Sequence, residues 1–141
     1  MSVPQSQVST ATMTGSPKKS VLTDKAPLPL PQFSQAIVYN GMIYCSGNVG
    51  IDPKTSKLVE GSVTDRAAQA LSNLASILEA AGSSLENVVK VNIFLTDMAN
   101  FAALNKAYDA VFQEPKPCRT CVAVKELPYK TDVEIELTAH L

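Results

Sequence analysis

The chain of 141 residues has one histidine, no tryptophan, three cysteines and only four tyrosines and four phenylalanines. The histidine, His140, is the penultimate residue. A catalytic Ser–His or Cys–His pair and a histidine-ligated metal site are therefore not expected. The thiols are Cys45, Cys118 and Cys121, an odd number with no secretory leader, which reads as an intracellular protein with reduced cysteines. Cys118 and Cys121 have C-x-x-C spacing, but on a strand residues three apart face opposite ways, and no second such pair exists. Neither a disulfide, a metal nor a cofactor is expected. No apolar run approaches the roughly 20 residues of a membrane span. Lys and Arg total 12 against 13 Asp and Glu, spread along the chain, for a net charge of −1. That leaves no footprint for nucleic acid or an anionic membrane.

What remains for chemistry is arginine, glutamate, cysteine, hydroxyls, amides and water. Residues 1–17 carry no charged side chain and are rich in Ser, Thr, Gln and Pro. Such a segment buries too little apolar surface to offset its ordering entropy, so a flexible tail is expected. A mitochondrial leader calls for arginines, and none precedes Arg66, so the cytoplasm is the expected location, with the mitochondrion as the weaker alternative.

Residues 18–141 read as one domain. Lys19 to Thr23 suits a short strand. Gln35–Tyr39 and Met42–Ser46 flank Asn40-Gly41, a hairpin signal because a type I′ turn needs positive φ twice. Ala67, Ala70, Leu71, Leu74, Ile77, Leu78 and Ala81 keep helical spacing between a capping signal, Ser62 to Asp65, and Gly82. Val89, Val91, Ile93 and Leu95 alternate as in a strand. Phe101, Leu104, Tyr108 and Val111 return to helical spacing, which Pro115 and Pro117 end. Strands are expected again over Arg119 to Val124 and through Val133, Ile135 and Leu137. The order β-ββ-α-β-α-β-β predicts an α+β sandwich. Its mixed sheet has five or six strands, with two helices of about 15 residues on one face. The other face, expected to carry Phe33 and Phe94, would need a partner surface.

Six blocks in order carry a resemblance. They are Phe33-Ser-Gln-Ala36, Ser46-Gly-Asn48, Val88 to Asp97, Phe101-x-x-x-Asn105-x-x-Tyr108, Pro117-Cys-Arg119-Thr-Cys121-Val and Val133-Glu-Ile-Glu136. From about Lys18 to Ala139 the chain resembles the Rid (YjgF-like) family of small imine-hydrolysing enzymes. The resemblance implies a chorismate-mutase-like fold and a homotrimer around a sheet-lined centre, with clefts between subunits. It also implies cofactor-free deamination of 2-imino acids, such as 2-iminopropanoate and 2-iminobutanoate, to 2-keto acids and ammonia.

In the matching blocks, Arg119 corresponds to the substrate anchor, and its guanidinium fork suits bidentate carboxylate binding. Glu134 corresponds to the glutamate that positions or activates the attacking water. Substrate contacts are expected from Phe33, Ser46, Gly47, Asn105 and Cys121; Tyr108 reads as core and Glu136 as a solvated strand face. Two departures stand out. Phe33 occupies the family's usual tyrosine position, and the usual S-G-Q-I-P block reads Ser46-Gly-Asn-Val-Gly50. One missing hydrogen bond, worth about 0.5–1.5 kcal/mol, lowers a rate rather than abolishing it. The alternative consequence is a pocket suited to a bulkier or more apolar imine. An imine deaminase is thus the leading expectation, and a non-catalytic trimeric module binding small carboxylates is the alternative.

Overall fold

The computed structural model describes residues 17–141; the expected tail lies, apart from Pro17, outside the described residues. Strand β1 (Lys19–Val21) pairs antiparallel with β2 (Ala36–Tyr39). The loop between them is held by the buried Gln35 side chain. Its Oε1 accepts from the Thr23 N–H at 2.8 Å, and its Nε2 donates to the carbonyls of Thr23 and Pro27 at 3.0 and 2.9 Å. A buried amide so fully bonded costs little and fixes where the loop's exposed Leu28, Leu30 and Phe33 stand.

Asn40 and Gly41, at φ 49° and 76°, make the expected tight turn into β3 (Met42–Asn48). A short hairpin of β4 (Ile51–Asp52) and β5 (Lys57–Leu58) follows, forming a separate two-stranded sheet that the sequence pattern does not announce. Two-residue strands are too short to show a period.

Helix α1 (Val63–Ala80) begins in a reciprocal cap. The Ser62 N–H donates to Asp65 Oδ2 at 2.9 Å, and the Asp65 N–H donates to Ser62 Oγ at 3.4 Å. Its apolar stripe turns to β3 and to β8 (Val133–His140), which pairs with β6 (Val88–Leu95). Helix α2 (Phe101–Val111) packs beside α1, and β7 (Cys118–Ala123) runs parallel to β6 at the sheet edge. The helices span 18 and 11 residues rather than 15 each.

The six-stranded sheet has the order β1-β2-β3-β8-β6-β7, and the last strand of the chain is inserted between two earlier ones. Ile43, Val91, Ile93, Leu95, Val133, Ile135 and Leu74 are completely or almost completely buried between sheet and helices. Each such side chain contributes about 1.5–3 kcal/mol of transfer free energy. Leu74→Ala, which removes part of the centre of α1's stripe, would cost about 2–5 kcal/mol.

The opposite sheet face carries Tyr44, Phe94 and Val122 among Asn92, Thr120, Glu134, Glu136 and Thr138. Phe33 borders that side beside Glu134, but from outside the sheet's strands. It stands in the loop before β2, where strand alternation does not apply, and turns toward Ser46 and Gly47.

Candidate active site

Strand register determines where the two strongest candidates point. Arg119 lies opposite Val91 on β7, and Cys121 lies opposite Ile93, so both project to the helix side of the sheet. There the Arg119 guanidinium meets one face of α2. Its Nη1 donates to Asn105 Oδ1 at 2.7 Å, and its central carbon lies 4.6 Å from the Tyr108 ring centre and 5.3 Å from that of Phe101. Phe101, Asn105 and Tyr108 are spaced four and three apart and form one helix stripe. Two aromatic faces and an amide thus set the cation's orientation, each cation–π contact being worth about 0.5–2 kcal/mol. One guanidinium edge remains free of protein acceptors among the described residues. An anion fits that edge.

Burial pushes the Tyr108 hydroxyl and the Cys121 thiol up, and nearby Arg119 only partly offsets this. Both therefore stay protonated at neutral pH. Cys121 therefore stands near Arg119 as a neutral thiol rather than a thiolate. Tyr108 belongs to the core, as its spacing indicated, yet its ring also seats the arginine.

Glu134 pairs with Phe94 on β8 and projects to the other side of the sheet. Its carboxylate packs on the main chain of Gly47, so closely that a Cβ added to the glycine would collide with Oε1. Gly47 is accessible in this way because the β3–β8 register shifts between Cys45 and Asn48, a bulge that lifts Ser46 and Gly47 out of the ladder. The Ser46 hydroxyl secures the bulge by donating to the Ser34 carbonyl at 2.6 Å. A hollow of about 250 Å³ lies beside this contact, lined by Leu30, Phe33, Ser46, Gly47, Val49, Pro128 and Glu134. Burial, and secondarily the neighbouring Glu136, push the Glu134 carboxyl above its ordinary value.

The expected site residues thus fall into two groups. Arg119, Asn105 and Cys121 share the α2 side; Phe33, Ser46, Gly47 and Glu134 share the hollow on the reverse. Within one chain the groups do not meet. Phe101 borders Arg119, and Leu30, Val49 and Pro128 line the hollow, although none was expected among the substrate contacts. For Phe101 a signal exists, since it shares a helix face with Asn105.

The domain is a two-layer α+β fold with an aromatic-flanked arginine on one side of its sheet and a half-buried glutamate on the other. Residues 23–141 match the family model described as Endoribonuclease L-PSP. The 2-iminobutanoate/2-iminopropanoate deaminase of Mus musculus is 43% identical over 122 residues, covering 86% of this chain and 90% of that protein. The mitochondrial protein mmf1 of Schizosaccharomyces pombe is 47% identical over 127 residues, covering 84% and 77%. The crystal structure of RidA from an Antarctic Psychrobacter species superposes with a TM-score of 0.84 at 42% identity, covering 87% of this chain and 99% of that one. The chain belongs to the Rid family, whose model carries the L-PSP name.

Proposed function

We propose that the protein hydrolyses 2-imino acids to 2-keto acids and ammonia, in a cleft that joins the Arg119 side of one copy to the Glu134 side of another. The free guanidinium edge of Arg119 holds the substrate carboxylate, leaving the C=N carbon toward the glutamate. Glu134 takes a proton from water as its oxygen adds to that carbon, and passes the proton to the nitrogen. The tetrahedral adduct then collapses: Glu134 takes the hydroxyl proton and returns it to the amine, the C–N bond breaks, ammonia leaves, and the keto acid remains.

The observation that carries this reading is the Glu134 carboxylate pressed on Gly47 in an apolar hollow, with its proton affinity raised by burial. A carboxylate whose proton affinity is raised is a stronger base than an ordinary one and can still return the proton it takes. The name of the mouse relative supports the same reaction. The assembly that the reading needs is a homotrimer, which also covers Tyr44 and Val122 on the open sheet face. For location, the cytoplasmic expectation competes with a mitochondrial one, which the name of the fission-yeast relative supports.

The test couples the purified protein to an amino-acid oxidase and follows imine by competition with semicarbazide trapping. Wild type should accelerate imine loss. Arg119→Ala should lose about 100-fold or more in kcat/KM, the equivalent of two charge-assisted bonds. Equal rates for the two proteins would refute the assignment. A second reading, a carboxylate-binding module without turnover, draws on Phe33, which leaves the hollow without a phenol hydroxyl. Binding of 2-oxobutanoate that depends on Arg119, with no imine loss on any substrate, would establish it. Endoribonuclease activity finds no support in the balanced charge, and the sole histidine ends β8, bonded to the neighbouring Leu141 carbonyl.

A further inference from the structure

Arg66 on α1 touches both chain segments that wall the Glu134 hollow. Its side chain grips Asp132 with two parallel bonds, Nε to Oδ1 at 2.7 Å and Nη2 to Oδ2 at 2.8 Å, while Nη1 donates to the Gly61 carbonyl at 2.9 Å. Its main chain backs Gly50, where an added Cβ would stand 2.6 Å from the Arg66 carbonyl oxygen and 2.7 Å from its Cα. Gly50 closes the segment that begins at Ser46 and Gly47. Asp132 sits two residues before Glu134, just ahead of β8, its carbonyl accepting from the Thr96 N–H at 3.2 Å.

Between Pro128, which lines the hollow, and Asp132, the chain makes an unusual bend. Tyr129 and Lys130 both adopt left-handed backbone, at φ 59° and 56°. Such a conformation is unfavourable for a non-glycine residue and persists only where its surroundings over-determine it. The Arg66–Asp132 fork, with side chains only 19% and 25% exposed, supplies that constraint.

We propose that Arg66 and Asp132 are a positioning pair that keeps the Glu134 carboxylate seated on Gly47. The inference rests on the reading of Glu134 as the proton carrier. An ordinary structural staple would only raise stability. A positioning pair also sets the environment in which Glu134 titrates. The groups around Glu134 are Glu136 on its own strand, Phe94 and Asn92 from β6, Ser46 and Gly47 from β3, and Pro128 from the bend. Glu136 is the charged one, and its bond from Asn92 Nδ2 at 3.0 Å does not involve Arg66. Arg66→Lys preserves every charge and removes the fork.

The experiment measures kcat, KM, the pH dependence of kcat and melting temperature for Arg66→Lys, Arg66→Ala, Asp132→Asn and Glu134→Gln, all assayed well below their melting points. For Arg66→Lys and Asp132→Asn, kcat should fall about tenfold or more with KM changed less than about twofold, as expected when the reacting group rather than the anchor is displaced. The acid limb of kcat should move to lower pH, because a carboxylate released from the hollow titrates nearer its ordinary value. Arg66→Ala should be worse than Arg66→Lys, which keeps one bond. If the melting temperature falls while kcat and the acid limb stay put, the pair is a staple and the proposal is wrong. If Arg66→Ala does not fold, the lysine and asparagine variants decide. Should Glu134→Gln keep full activity, the reading of Glu134 fails instead, whatever the other variants do.

Discussion

Arg119 and Glu134 project from opposite faces of one sheet, because Arg119 is in register with Val91 and Glu134 with Phe94, three residues further along β6. One copy therefore cannot close both on a small imino acid. Two variants, each inactive alone, should restore activity on mixing if subunits exchange. In a random equal mixture of Arg119→Ala and Glu134→Gln, a cleft works when its arginine comes from the second variant and its glutamate from the first. About one quarter of wild-type activity is expected for independent draws around a cyclic oligomer. Refolding the two together and assaying imine loss checks it; no gain over either alone would place both residues' roles within one chain.

Two glycines near the hollow make a contrasting pair. A Cβ on Gly47 meets the end of a flexible side chain, Glu134, whereas one on Gly50 meets Arg66 main chain at 2.6 Å. Gly47→Ala should swing the carboxylate aside, cutting kcat about tenfold or more with a stability change under about 1 kcal/mol. Gly50→Ala has no such escape and should destabilise by about 1–3 kcal/mol, the usual range for overpacking. Urea denaturation beside the kinetic assay separates the two effects.

The hollow also constrains the substrate's side chain. The Ser46 hydroxyl is spent on Ser34, the Gln35 amide on Thr23 and Pro27, and the Asn48 amide on the Ser46 carbonyl at 3.1 Å. What remains is Leu30, Phe33, Val49 and Pro128 around one carboxylate. Imines derived from leucine or methionine should exceed those from aspartate or glutamate by about 100-fold in kcat/KM, since an acidic side chain meets Glu134 with no donor to offset it. Leu30→Asp should reduce the leucine preference. A flat profile across the oxidase-generated panel would contradict the apolar subsite.

Local chemistry made much of the fold legible: Asn40-Gly41 fixed a turn, Ser62 and Asp65 a cap, and alternation the strands from Val88 and Val133. The division of the site was not legible. It depends on β8 entering between β3 and β6, a non-local choice that leaves no periodic trace. Residue parity separates faces within a strand, but only strand order and register relate Arg119 on β7 to Glu134 on β8. The position of Phe33 was hidden for the same reason, since a loop residue's direction depends on remote anchors, here the bonds of Gln35. The fork of Arg66 on Asp132 joins residues 66 positions apart, and neither alone carries a motif.

Glu134 and Asp132 should push stability in opposite directions with pH. Hydrogen bonds from Arg66 hold the Asp132 carboxyl below its usual range, so its contribution is present above the unfolded pKa and is lost as pH falls through the folded one. Burial raises Glu134, so its protonated form favours the fold, and that advantage is lost as pH rises through the folded pKa. At neutral pH the ionised Glu134 therefore costs stability that Gln, without a charge to desolvate, does not. Glu134→Gln should be more stable than wild type at neutral pH and nearly inactive. Its advantage should shrink as pH falls through the raised Glu134 pKa and vanish below the ordinary carboxylate range. Asp132→Asn should be less stable at neutral pH and less sensitive to acid. Thermal unfolding of the three proteins from neutral pH down to the acid limit tests both signs. A Glu134→Gln protein less stable than wild type at neutral pH would mean that the carboxylate finds a stabilising partner when copies assemble, and that burial is not what tunes it.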